Sequence, residues 1–73
     1  MEFPQYRKLP NDKVFYRIES QTVFTELQLV GSRILVHRVE AKQYPEKLRI
    51  MDMLGCAEPF VIAIENEFEE RLV

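Results

Sequence analysis

Apolar positions fall along this chain in short runs, and the most continuous lies in Arg33-Ile34-Leu35-Val36-His37-Arg38-Val39-Glu40-Ala41. Three successive apolar residues, Ile34, Leu35 and Val36, describe a strand that is oily on both faces, the pattern of an inner strand of a sheet. Lys13 to Glu19 alternates instead. Val14, Tyr16 and Ile18 share one face, with Phe15, Arg17 and Glu19 on the other, and this predicts a second strand.

The segment from Ser20 to Gly31 supports two readings. At a period of two, Val23, Thr25, Leu27 and Leu29 line up and Gly31-Ser32 makes a tight hairpin turn. At a period of 3.6, Val23, Phe24, Leu27 and Val30 form one stripe, with Ser20 or Thr22 as a cap and Gly31 as a stop. A faint internal echo favours the helix. Tyr16-Arg17-Ile18-Glu19-Ser20 leads to Phe24, Glu26 and Leu27, much as Ala63-Ile64-Glu65-Asn66 leads to Phe68, Glu70 and Leu72. A helix here also supplies the crossover of about a dozen residues that two parallel strands need.

Lys42 to Glu46 reads as a turn preset by Pro45. Lys47 to Leu54 divides again. Its Leu, Met, Lys and Arg residues prefer helix, whereas a strand of this length would return antiparallel beside residues 33–41, and the strand is the favoured reading. Gly55 to Pro59 is a loop, Phe60 to Ile64 a short buried strand, and Glu65 to Val73 a terminal helix. The acidic start of that helix suits the positive end of its dipole, and Phe68, Leu72 and Val73 are expected inward. Residues 1–12, with Pro4 and Pro10, form an extended arm tacked down by Phe3, Tyr6 and Leu9.

The pattern therefore predicts a single α+β domain over residues 1–73, built as a small mixed, mainly antiparallel sheet in the order β-α-β-β-β-α. Both helices are expected on one face. The other face is then open, and Phe15, Leu35, Val39, Met51 and Met53 are the expected interface residues, with Phe60 also needing a dry site.

Composition sharpens this expectation. At 73 residues, apolar burial only just offsets the entropy of ordering, on the order of 1.5 kcal/mol per residue, so a further constraint is expected. The single cysteine, Cys56, cannot form an intrachain disulfide. One cysteine and one histidine fall short of a structural zinc site. Self-association is what remains. A formal net charge of −2 without a basic block argues against nucleic acid, and no run is long enough for a membrane span. Met1-Glu2-Phe3-Pro4 shows no signal-peptide pattern, and one unpaired thiol suits a reducing, cytoplasmic setting.

Three stretches carry a resemblance: Arg7 to Ile18, Phe24 to Gly31, and Ala41-Lys42 with Pro45. They are similar to a group of short uncharacterised bacterial proteins of no known activity. The resemblance implies a bacterial cytoplasmic origin and a helix over 21–30, and it assigns no site residue.

Candidate chemistry is sparse. His37 is the only histidine, the residue type best suited to acid–base work, and Cys56 would need it as an activating base. Asp52 lies among apolar neighbours, with Arg38 as a cross-strand partner or solvent as the alternative. Glu65, Glu67, Glu69 and Glu70 read as a solvated face, since calcium requires a shaped oxygen-rich loop. Gly31 and Gly55 are the only glycines, so a glycine-rich phosphate loop is absent. No cofactor is implied. The sequence points to a non-enzymatic interaction module, most simply a homodimer. The alternatives are an accessory or regulatory subunit of another protein, or a small enzyme using His37 with Asp52 or Cys56.

Overall fold

A computed structural model describes residues 2–72 of the chain. Its elements are β1 (Gln5–Lys8), β2 (Val14–Ile18), β3 (Val23–Val30), β4 (Arg33–Glu40), α1 (Tyr44–Leu54), β5 (Val61–Ile62) and α2 (Glu65–Glu69), followed by a 3₁₀ turn at Glu70–Leu72. The five strands form one sheet in the order β4-β3-β2-β1-β5, and every neighbouring pair is antiparallel. The α+β class with a small sheet and two helices is as expected. Two segments exchange their type within it.

Residues 23–30 are a strand, not a helix, so β2, β3 and β4 run as an antiparallel meander with no crossover. Gly31 takes a φ of 61° at the two-residue turn, with Val30 and Arg33 paired across it. The 3.6-residue stripe was imitated because β3 is buried on both faces: Phe24 packs on one side and Leu27 on the other. A strand covered on both faces loses the alternation that identifies it.

Residues 44–54 are helical, so the expected strand over 47–54 is α1. Pro45 occupies the first turn, where its missing N–H costs nothing. The Glu46 carboxylate accepts from the amides of Lys42 and Gln43. Ile50 and Met53 sit three apart on the inward side. At the other end, the amide of Ala57 donates to Asp52 and that of Cys56 to Met53, the paired bonds that close a helix around a left-handed residue. That residue is Cys56, at a φ of 55°, and not Gly55 beside it.

The helices lie on opposite faces of the sheet rather than on one. Strand alternation separates β2 into Tyr16 and Ile18, which join Phe24, Ala41, Ile50 and Met53 under α1, and Phe15, which joins Leu27 and Phe68 under α2. The face carrying Phe15 is thus covered. Phe68 holds α2 there, its ring 5.8 Å from that of Tyr6, with the Arg17 guanidinium 5.0 Å above it. Two ion pairs assist, Lys8 with Glu67 at 2.8 Å and Arg17 with Glu69 at 3.1 Å. Leu72, expected inward, is exposed; Val73 lies outside the described residues.

Strands β4 and β5 form the two edges. Residues 33–40 were expected to be an inner strand, yet all of β4 except half-buried Val39 is exposed. The expected buried strand near the C-terminus is two residues long and exposed, with Ala63 beyond it buried. The segment 1–12 contributes β1, which lies between β2 and β5.

An L-residue in the left-handed conformation costs about 1–2 kcal/mol relative to glycine, so Cys56→Gly is expected to raise stability by about 1 kcal/mol in urea titrations. A second expectation concerns the β1–β2 turn. The Lys8 ammonium hydrogen-bonds to Asp12 at 2.8 Å and holds its carboxyl below the usual aspartate range. A depressed folded pKa gives stability that is present above the unfolded value and lost as pH falls through the folded one. An NMR pH titration should find Asp12 titrating below free aspartate, and returning upward in Lys8→Met.

Candidate functional site

The register aligns four polar residues in a row across the face under α1. Arg7 lies opposite Tyr16, Tyr16 opposite Glu26, and Glu26 opposite His37. Arg7 is buried, and its guanidinium donates to the carbonyls of Met53 at 2.8 Å and Leu54 at 3.2 Å. These carbonyls close α1, where a cation is favoured by the helix dipole and the last turn has no basic residue of its own. Arg49 reaches down from α1 to the Glu26 carboxylate at 2.6 Å and the Tyr16 hydroxyl at 3.2 Å. Burial pushes the Tyr16 phenol up, and the Arg49 bond opposes that in part. The row is therefore structural in character. Each charge already has a partner, and no buried side-chain nitrogen or oxygen among the described residues lacks one.

The sequence-derived catalytic candidates do not converge. His37 lies on β4, whereas Cys56 follows the end of α1 that Arg7 fixes to β1. Three strand spacings separate β4 from β1, roughly 14 Å at about 4.8 Å each. Asp52 is exposed on α1. Its suggested partner Arg38 pairs with Thr25 in register, on the face covered by α2, and bonds Glu40 at 2.8 Å. The acidic cluster is likewise divided, because Glu67 and Glu69 are engaged by Lys8 and Arg17. No group of three or more potential metal ligands occurs among the described residues.

The expected interface residues separate into two sets. Phe15 and Met53 are both fully buried within the single chain, Phe15 beneath α2 and Met53 on the inward side of α1, and cannot touch a partner without unfolding. Leu35 is exposed and Val39 half-buried on β4. Met51 is 64% exposed on α1, where it lines an apolar groove of about 630 Å³ with Ile50, Leu54 and Lys47.

What stands out is β4. Ile34, Leu35 and Val36, with Val30 just before the turn, are all 40% exposed or more. Ile34 and Val36 lie on the α2 face and Leu35 on the α1 face, beyond the reach of either apolar cluster. The phase of the backbone is fixed by neighbouring bonds. Leu29 donates to Lys13 on the β2 side, and Ala41 donates to Thr22 on the β3 side. Alternate residues of a central strand bond to opposite neighbours. Arg33, Leu35, His37 and Val39 therefore bond to β3, and Ile34, Val36, Arg38 and Glu40 turn their N–H and C=O groups to the open edge. Natural edges are commonly blunted by charged side chains, proline, a bulge or brevity, and the charges of β4, Arg33, Arg38 and Glu40, flank rather than interrupt the run Ile34-Leu35-Val36. This edge is eight residues long, contains no proline and pairs with β3 without a bulge.

Sequence reasoning named this stretch for its apolar run but misplaced it in the sheet. Comparison with protein-family models, with curated proteins and with solved structures finds no match. Among the described residues, no helix is long and apolar enough to cross a membrane.

Proposed function

We propose that this chain is a non-enzymatic protein-interaction module that self-associates through its sheet. The observation that carries the reading is the exposed apolar run Ile34-Leu35-Val36 on a long edge strand without proline or bulge. Apolar side chains on both faces of a strand are the composition of an inner strand, and β4 becomes one only when another strand lies beside it. The fold needs little else from a partner, since both sheet faces already carry a helix. Against an enzymatic reading stand the separation of His37 from Cys56 and the paired charges of Glu26 and Arg49. A cytoplasmic location belongs to the same reading and is supported by the single, exposed, unpaired thiol of Cys56.

Sedimentation velocity tests it. The protein should shift from monomer toward dimer as its concentration rises through the micromolar range. Val36→Lys, placing a charge on the exposed edge, should weaken that association by roughly tenfold or more without loss of fold by circular dichroism. A protein that stays monomeric throughout removes the proposal.

A further inference from the structure

The geometry points to how two copies meet: β4 pairs with β4 of a second copy, antiparallel, about a two-fold axis that passes through Val36 perpendicular to the sheet. This rests on the self-association reading above and specifies its surface, its symmetry and its register.

The symmetry follows from the edges available. The sheet has two, β4 with eight residues and β5 with two. Pairing β4 with β5 of the next copy would use only a two-residue ladder and would propagate as an open filament, whereas β4 with itself closes into a dimer. Two identical edges pair antiparallel only through a two-fold axis perpendicular to the sheet. That operation keeps each face on its own side, so only residues of the same face can lie opposite one another.

This condition leaves few registers, and side-chain chemistry selects among them. An axis at Leu35 sets Arg33 opposite His37 of the other copy on both sides. An axis at Arg38 sets two guanidinium groups face to face, and like charges directly opposite destabilise a sheet. An axis at His37 sets the Glu40 carboxylate against Ile34. With the axis at Val36, Val36 meets its own copy and Ile34 lies under the aliphatic stem of Arg38. Leu35 then meets the His37 ring, and no two guanidinium groups are opposed. The residues whose backbone groups face outward are Ile34, Val36, Arg38 and Glu40. At this register Val36 pairs with Val36, and Ile34 with Arg38, in hydrogen-bonded positions. The two five-stranded sheets thereby join into one continuous sheet. Neither helix obstructs the approach, because β4 is exposed over its length apart from half-buried Val39. A contact confined to one strand edge belongs with interfaces below the roughly 1,200 Å² of standard size, and the complex is expected to be weak and reversible.

Disulfide trapping reads the register directly. In a Cys56→Ser background, Val36→Cys should form a covalent dimer under oxidised glutathione. Opposed hydrogen-bonded residues lie about 5.5 Å apart at Cα, within the roughly 4.4–6.8 Å that a disulfide accepts. Ile34→Cys and Arg38→Cys should each remain monomeric alone, and should cross-link to each other when mixed. If sedimentation shows a dimer but Val36→Cys does not cross-link, or Ile34→Cys links to itself, this pairing is wrong while self-association stands. If the unmodified protein sediments as a monomer throughout, the underlying reading fails as well.

Discussion

Every other feature of this structure follows from the adjacency of Phe15 and Tyr16 on one strand. Both rings are buried, and consecutive residues of a strand point to opposite faces. The sheet must therefore be dry on both sides, and a chain of this length has to cover it twice. It does so with an eleven-residue helix on one face and a five-residue helix on the other. Burial of each aromatic ring contributes about 1.5–3 kcal/mol, so neither cover can be omitted. The two small covers meet the centre of the sheet and leave β4 bare.

Polar contacts anchor each cover to the same short strand. On one side of β1, Arg7 caps the last carbonyls of α1; on the other, Lys8 pairs with Glu67 of α2. Two adjacent residues of the N-terminal segment thus tie down helices that come much later in the chain. A helix as short as α2 is not stable alone, and Phe68, Lys8 and Arg17 supply what its length lacks. The arrangement also gives the polar row Arg7–Tyr16–Glu26–His37 a structural role. Its inner members hold α1 in place, and only His37, on the bare edge, is left without such a task.

The class of the fold was legible in the sequence, as were β2, the C-terminal helix and the prominence of residues 33–41. Other features were hidden for definite reasons. In β3, burial on both faces replaced alternation by a pattern that matched a helix equally well. In α1, only Ile50 and Met53 are buried, so the periodicity was faint and strand and helix competed evenly. The position of β4 could not be read because an apolar run identifies a strand that needs two neighbours without saying where the second comes from. The cap provided by Arg7 left no local signal, since donor and acceptors are 46 and 47 residues apart. Among the expected interface residues, Leu35 and Val39 lie on β4, whereas Phe15 was mistaken for surface because both helices were expected on the other face, and Met53 because residues 47–54 were read as a strand.

Self-association through β4 requires that its outward backbone groups find a partner. Amide hydrogen exchange resolved by residue and followed against protein concentration tests this most directly. The amides of Leu35 and His37, bonded to β3, should be protected at every concentration. Those of Ile34, Val36 and Arg38 should exchange freely in dilute solution and become protected as the concentration rises. Free exchange of these three amides at all concentrations would contradict the account.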